Sequence, residues 1–81
     1  MKKKICIDIK FMDKIFKKAI NNKSKLTLIS KFEKIAGWDS LGHMKIISQI
    51  EKKLKISFEI YEIIEIDTIK KLIDLTRKKI G

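Results

Sequence analysis

The segment Gly37-Trp38-Asp39-Ser40-Leu41 contains the residues with the clearest capacity for chemistry. Ser40 comes just before apolar residues with helical spacing, so its hydroxyl is predicted at the first position of a helix. A helix N-terminus offers free backbone N–H groups and the positive end of a dipole, which favour an anion such as a phosphate. Asp39 and Ser40 are also good N-terminal caps. The segment therefore predicts either a capped helix or a hydroxyl that serves as a point of attachment.

The other reactive side chains offer little chemistry. His43 is the only histidine and has no cluster of Cys or carboxylates at metal-ligand spacing, so we expect a partly exposed surface residue, close enough to Ser40 to lie beside an attached group. Cys6 is the only cysteine and cannot form an internal disulfide. We therefore predict no metal site and no catalytic residue. A chain of 81 residues is also too small to enclose an elaborate catalytic cleft, which argues against an enzyme.

The composition favours a single all-α domain over residues 1–81. The chain has no Pro and three Gly, and Ile, Leu and Lys dominate it, so it has few helix breakers and few turn residues for a sheet. No apolar stretch approaches the roughly 18 residues of a membrane span. We therefore expect a soluble cytoplasmic protein, with a monomer as the default.

Helical spacing of apolar residues first appears between Ile9 and Ile20. Met12 and Phe16 continue that stripe, and lysines occupy the opposite face, which predicts an amphipathic helix of about three turns. Residues 23 to 39 then form a long connection, a feature that is often functional in a small domain. Its apolar residues are expected to pack on the core: Leu26, Leu28, Ile29 and Phe32.

Two further long helices and one short helix are predicted after this connection. A helix starts at Ser40 and carries apolar residues through Leu54. An extended stretch follows, then one short helix from about Glu59 to Glu65. Asp67 is predicted to cap a last helix, whose stripe runs from Ile69 to Ile80. Three longer helices, one short helix and a long first loop can pack as a small four-helix bundle.

The whole arrangement resembles the acyl carrier protein family, and the resemblance covers nearly the whole chain. Asp39-Ser40-Leu41 matches the family's Asp-Ser-Leu signature, in a long loop followed by an apolar helix, a short helix and a last helix. The resemblance implies that Ser40 receives a 4'-phosphopantetheine arm from coenzyme A through a phosphopantetheinyl transferase. The terminal thiol of the arm would then carry acyl or aminoacyl groups as thioesters.

The resemblance also implies roles for the neighbours of Ser40. Asp39 would support the magnesium-dependent chemistry of the transferase, and Leu41 would enter pockets on partner enzymes. Those partners would be an acyl-loading ligase or synthase and acyltransferases. Carriers of this family can shelter an acyl chain between their helices, and six residues are candidates for such a lining, although ordinary core packing is the favoured explanation for each: Met44, Ile47, Ile50, Ile63, Ile69 and Leu72.

The charge departs from the family where partners bind. Typical fatty-acid carriers present carboxylates on the helix after the serine, whereas here Lys45, Lys52 and further lysines stand beside Glu51 alone. We expect Lys45, Glu51 and Lys52 to take part in docking, with partners that present acidic or more apolar faces. This favours a specialised carrier outside housekeeping fatty-acid synthesis, although a housekeeping carrier stays an alternative.

Two other classes of protein stay open on the residues alone. The formal net charge of +10 is compatible with a basic helical nucleic-acid-binding protein. However, the charge is spread along the chain, and every one of the 20 basic residues except Arg77 is Lys, whereas nucleic-acid readers favour the bidentate fork of Arg. We therefore expect no stable nucleic-acid partner. A plain protein-interaction bundle is the second alternative, in which Ser40 would only cap its helix.

Overall fold

The structure is a computed structural model that describes residues 6–80 of the chain. Its helices are α1 (Ile9–Ile20), α2 (Ser40–Leu54), α3 (Ile60–Glu65) and α4 (Ile69–Ile80). The only β-type pairing in this part of the chain is one isolated antiparallel bridge, between Lys31 and Thr68. The predicted four-helix, all-α architecture is confirmed. The predicted single domain also includes residues 1–5 and 81, which lie outside the described residues.

Helix α1 begins and ends where short polar residues satisfy its backbone. The Asp8 carboxylate accepts a hydrogen bond from the Phe11 N–H at 3.0 Å, and Asn21 ends the helix in the left-handed conformation with φ of 54°. Both are the residue types that physical chemistry favours at these positions. The stripe predicted from the spacing points inward, with Met12 and Phe16 completely buried.

Helix α2 is capped by Asp39 and ends at Leu54. Its Ile46, Ile47 and Ile50 are buried in the same core cluster as residues of α1 and α4, and α2 packs directly on α1. Isoleucine is only a moderate helix former, so tertiary packing of this face contributes more to the helix than intrinsic propensity does. Lys55 ends α2 in the left-handed conformation, with φ of 56°.

The last helix starts differently from the prediction. Asp67 does not cap α4; the Thr68 hydroxyl oxygen accepts a hydrogen bond from the Lys71 N–H at 3.1 Å. The reason lies outside the local sequence, because the Asp67 carbonyl accepts a hydrogen bond from the Phe32 N–H at 2.8 Å. The long connection thereby pairs with Asp67 and Thr68, and the helix begins only after them.

The long connection between α1 and α2 is fixed by backbone hydrogen bonds and by buried side chains. The Ile69 N–H donates to the Ser30 carbonyl at 3.0 Å, and the Lys70 N–H donates to the Leu28 carbonyl at 2.9 Å. Leu26 is buried and Phe32 is half-buried, as predicted. The prediction was wrong for two residues that are exposed, Leu28 and Ile29. The other buried apolar residues of the connection are Ile35 and Trp38.

Candidate functional site

Ser40 is the first residue of α2, and its side chain is exposed. The capping function belongs to its neighbour, because Asp39 Oδ1 accepts a hydrogen bond from the Gly42 N–H at 2.9 Å. The Ser40 hydroxyl is therefore not needed to begin the helix. The N–H groups of Ser40 and Leu41 have no acceptor inside α2, since they belong to its first turn. An exposed hydroxyl next to free N–H groups is a suitable attachment point for a phosphate-linked group.

Two glycines bring the connection onto the first turn of α2. A Cβ atom on Gly42 would lie 1.8 Å from the Gly37 carbonyl oxygen, so no other residue fits there without movement of the backbone. Gly37 itself has φ of +87°, a conformation that residues with a side chain rarely adopt. Gly42 was not singled out in the sequence, although its role depends on a contact with a residue only five positions earlier.

Trp38 anchors the same turn in the core. Its side chain is completely buried and makes edge-to-face contacts with two rings, Phe16 at 4.9 Å and Phe32 at 5.9 Å between centroids. Such contacts are a favourable arrangement for aromatic pairs. The residue just before the Asp39 cap is thus held by α1 and by the connection, which fixes where Ser40 lies.

His43 is buried, so the prediction of a partly exposed surface histidine was wrong. Only 6% of the residue is exposed. Its Nδ1 accepts a hydrogen bond from the Trp38 Nε1–H at 2.8 Å, because an indole nitrogen can only donate. The proton of the neutral ring is therefore on Nε2, which donates to the Ile63 carbonyl at 2.9 Å. The residue connects α2, α3 and the long connection.

A signal for this placement was present in the sequence. His43 lies at positions i, i+3, i+4 and i+7 with three isoleucines of the inward face, Ile46, Ile47 and Ile50. A residue in this series shares the buried face of the helix. The polar character of histidine hid the pattern, and its hydrogen-bond partners could not be identified from the sequence.

The residues predicted to line an acyl pocket divide into two groups. Met44 is 48% exposed and lies outside the buried core, so its role as a lining residue stays a prediction. The remaining five are all members of the single buried core: Ile47, Ile50, Ile63, Ile69 and Leu72. Their burial agrees with ordinary core packing, and their role as lining residues stays a prediction.

Apolar side chains remain exposed on the outer surfaces of α2 and α3. On α2, Leu41 is 68% exposed and Met44 belongs to the same outward side. On α3, three large side chains are exposed: Ile60, Tyr61 and Ile64. Large exposed apolar side chains of this kind mark surfaces that contact other molecules. The residue next to the candidate attachment point thus has the exposure that docking requires.

The charged residues predicted for docking have different environments. Lys45 and Lys52 are exposed. Lys52 also lines a groove of about 330 Å³ between α1 and α2, where its neighbours include further lysines: Lys14, Lys18 and Lys53. By contrast, Glu51 is half-buried, and its Oε2 accepts a hydrogen bond from the Phe58 N–H at 2.9 Å. That carboxylate fixes the chain after α2 and is engaged in the fold.

An ion pair fastens α3 to α4. Glu62 Oε1 lies 2.7 Å from Lys79 Nζ, and the same oxygen accepts a hydrogen bond from the Glu59 N–H at 2.8 Å. The Glu59 N–H and the Lys79 ammonium together lower the pKa of the Glu62 carboxyl. In turn, the Glu62 carboxylate raises the pKa of Lys79. Helix α3 is thus held by His43 on one side and by Lys79 on the other.

Comparison with known proteins identifies this arrangement. A family model described as the phosphopantetheine attachment site matches residues 24–76, which is well over half of the chain. The fold is similar to the solution NMR structure of the holo acyl carrier protein from Geobacter metallireducens, with a TM-score of 0.78 and 30% sequence identity over 88% of this chain and 83% of that chain. The chain belongs to the acyl carrier protein family. No match was found among curated protein sequences.

The cofactor of the carrier is accordingly a covalently attached 4'-phosphopantetheine. The residues present fit this group, because Ser40 offers an exposed hydroxyl at a helix N-terminus whose cap is supplied by another residue. A phosphodiester at this position would meet the positive end of the α2 dipole. The exposed side chain of Leu41 leaves the surroundings open to a modifying enzyme.

Two further findings concern the part of the chain that the structure describes. No group of three or more His, Cys, Asp or Glu side chains within residues 6–80 could hold a metal ion. No helix in the same range has the length and apolar character to cross a membrane. As a member of its family, the carrier interacts with modifying enzymes and with enzymes that handle acyl groups.

Proposed function

We propose that Ser40 carries the arm and that the protein is a specialised carrier of acyl or aminoacyl groups. The observation that supports this assignment is the separation of roles between two adjacent residues. Asp39 caps α2, and Ser40 leaves its hydroxyl exposed at the same helix end. When bound, the arm supplies a terminal thiol that holds cargo as a thioester.

The residues around Ser40 have complementary roles in this proposal. Asp39 keeps the first turn of α2 formed, and its second carboxylate oxygen is available to support the magnesium-dependent chemistry of the transferase. Leu41 offers an apolar contact to partner enzymes. A tethered thioester meets each enzyme at an effective concentration on the order of millimolar for a short flexible link, so the carrier needs no active site of its own.

Intact mass spectrometry tests the attachment site. The protein is incubated with coenzyme A and a broad-specificity phosphopantetheinyl transferase, and we expect the mass to increase by one phosphopantetheine. Ser40→Ala should abolish the increase. Ser48→Ala is the matched control, because Ser48 is another exposed serine of α2, and it should be modified normally. Modification of Ser40→Ala would overturn the assignment.

The charge of α2 supports a specialised role. Lys45 and Lys52 are exposed, and the lysines in the groove between α1 and α2 extend the basic surface onto α1. Such a surface would steer the carrier towards partner enzymes with acidic or more apolar docking faces, and away from basic ones. We also propose that the protein is a monomer, that it is cytoplasmic and that residues 1–81 form a single domain.

Charge reversal tests the docking surface. Lys45→Glu with Lys52→Glu should slow loading by the cognate ligase or synthase, and the difference from the wild type should shrink as salt is added, because screening weakens surface charges. Lys31→Glu with Lys34→Glu is the control, since it makes the same charge change on exposed residues of the long connection. Equal loading of all three proteins at every salt concentration would show that α2 charge has no docking role.

A further inference from the structure

The first inward-pointing side chain of α2 after the attachment point is His43. It follows Ser40 by three residues, a rise of roughly 4.5 Å along the helix axis. The next inward residues, Ile46 and Ile47, lie deeper in the core. A chain attached through Ser40 that entered the bundle between α2 and α3 would therefore meet the His43 ring before it reached apolar side chains.

The His43 ring is hydrogen-bonded through both nitrogens and lies beside the Phe32 ring. Nδ1 is bonded to Trp38 and Nε2 to the Ile63 carbonyl, which is a backbone atom of α3. The ring centroid of Phe32 lies 5.1 Å from that of His43. The histidine consequently joins α2 to α3 by a hydrogen bond at the end of the bundle where Ser40 lies.

Displacement of this ring would leave the Trp38 indole N–H without an acceptor and would remove one of two hydrogen bonds to the Ile63 carbonyl, which also accepts from the Ile66 N–H at 3.3 Å. The Trp38 indole N–H is completely buried, and the Ile63 carbonyl belongs to a buried residue. An alkyl chain can replace the volume of the imidazole but offers no hydrogen bond to either group. Burial of unsatisfied polar groups is unfavourable, so the hydrogen bonds of His43 oppose entry of an apolar chain.

The interior beyond His43 is already occupied by side chains. Ile47, Ile50, Ile69 and Leu72 are each no more than 1% exposed, and all belong to one continuous cluster. Three grooves on the surface, with volumes of about 330, 390 and 420 Å³, are lined by other residues. Since protein interiors are close-packed, a guest chain would require α3 to move away. The Glu62–Lys79 ion pair opposes that movement as well.

We propose that this carrier keeps its cargo outside the helical bundle and that His43 closes the route from Ser40 into the core. The inference rests on the proposed attachment of the arm at Ser40. A carrier of this kind suits short or polar acyl groups, including aminoacyl groups, because such cargo gains little from transfer into an apolar interior. By holding α3 against α2, His43 determines which cargo the carrier suits, although it does not itself touch the arm.

Loading of the wild-type carrier with cargo of two lengths tests the first half of the proposal. A broad-specificity phosphopantetheinyl transferase installs acetyl and octanoyl arms from the corresponding acyl-coenzyme A thioesters, and intact mass confirms each product. Isoleucine methyl spectra and the melting temperature are then compared. We expect the two proteins to give the same signals for Ile47, Ile50 and Ile69, and melting temperatures that agree within about 2 °C.

Chain-length-dependent shifts of those three methyl groups, with a melting temperature raised by roughly 4 °C or more for the octanoyl form, would overturn the proposal. That result would place the chain among the predicted lining residues. If mass spectrometry shows no arm on Ser40, the proposed function has failed before this comparison is reached. The two failures are therefore distinguishable.

Substitution tests the part assigned to His43. In His43→Ala, the octanoyl arm should enter the core, shift the isoleucine methyl signals and raise the melting temperature relative to the acetyl form of the same variant. Asn22→Ala is the matched control, because Asn22 is also buried and makes two hydrogen bonds, but within the long connection. It should behave like the wild type with either arm.

Two outcomes would contradict the claim that His43 closes the route into the core. The first is a His43→Ala variant that gives the same spectra with both arms, and the second is an Asn22→Ala variant that admits the octanoyl chain equally well. Should His43→Ala fail to fold, Trp38→Phe replaces it, since this change removes the hydrogen bond to Nδ1 and keeps an aromatic ring. The same comparison of acetyl and octanoyl forms then applies.

Discussion

Helices α2 and α3 border the candidate attachment site and differ in almost every physical respect. α2 has 15 residues, is capped by Asp39 and carries lysines on its exposed side. α3 has six residues, and with its flanks it forms the acidic segment 59–67, which contains four carboxylates and no basic residue. A helix of six residues is not stable alone in water. Its position therefore depends on contacts made by other elements, whereas α2 has a continuous buried face of its own.

This difference shows that the two helices are held in place in different ways and expose different surfaces to a partner. The attachment point lies on the helix that is fixed by core packing along its length. The shorter helix is fixed by one buried residue, Ile63, and by contacts from His43 and Lys79. The surfaces also differ in charge, and both helices carry exposed apolar side chains. A partner that covered both helices would need an acidic area opposite α2 and a basic area opposite α3.

The largest expected effect is loss of the start of α2. Gly42→Ala places a Cβ atom where the Gly37 carbonyl oxygen lies, so the connection must move away from the helix. We expect a loss of about 3 kcal/mol in the free energy of unfolding, measured by urea denaturation. Gly37→Ala, whose Cβ would have ordinary contacts but a strained φ, should cost only about 1 kcal/mol. Equal losses for both variants would contradict the close-approach explanation.

The next effect separates α3 from α2. His43→Ala removes the acceptor of the buried Trp38 indole N–H and one of the two donors to the Ile63 carbonyl, and should cost about 2 kcal/mol. Hydrogen exchange should accelerate more at the amides of α3 than at those in the centre of α2, because α3 has fewer buried contacts and has lost its hydrogen bond to α2. Uniform acceleration in both helices would mean that the two do not differ in their dependence on His43.

A smaller effect distinguishes capping from attachment at the end of α2. Asp39→Ala should lose about 1 kcal/mol of stability, since it removes the acceptor for the Gly42 N–H. Ser40→Ala should change stability by less than about 0.5 kcal/mol, as expected for an exposed site without such a contact. Thermal unfolding of the two unmodified variants checks this. A larger loss for Ser40→Ala than for Asp39→Ala would assign the capping role to the serine.

The smallest effect concerns the pH dependence of the contact between α3 and α4. The pKa of Glu62 lies below its ordinary value of 4.5 in the folded protein, so its contribution to stability is present above that value and is lost as the pH falls through the lowered pKa. Glu62→Gln should remove this part of the acid dependence. Urea denaturation between pH 7 and pH 3 checks it. Parallel pH profiles for Glu62→Gln and the wild type would contradict the role of the ion pair.

The helices were predictable from the sequence because their signals are local. Asp8 and Asn21 are good caps on either side of a regular apolar stripe, and the start of α2 at Ser40 follows from similar signals. The cap of α4 was not predictable in the same way, because Asp67 and Thr68 are both suitable. The choice depends on the hydrogen bond between Phe32 and Asp67, which joins residues far apart in the chain.

The candidate site was predictable at the level of residue type but not of contacts. The Asp-Ser-Leu signature indicated Ser40, and the structure then showed that the cap is Asp39. The exposure of Met44 and the burial of His43 depend on how α2 is rotated against α3, which is set by tertiary packing. Helical spacing alone gives the buried stripe and leaves residues at its margin undecided.

The environment of Trp38 also provides an intrinsic optical reporter. It is the only tryptophan in the chain, it is completely buried, and its indole nitrogen is hydrogen-bonded to His43. The emission wavelength of this single fluorophore therefore depends on whether the turn before Ser40 is seated on α2. Release of that turn into water would shift the emission to the red, so events at the end of the bundle where cargo is attached can be followed without any added label.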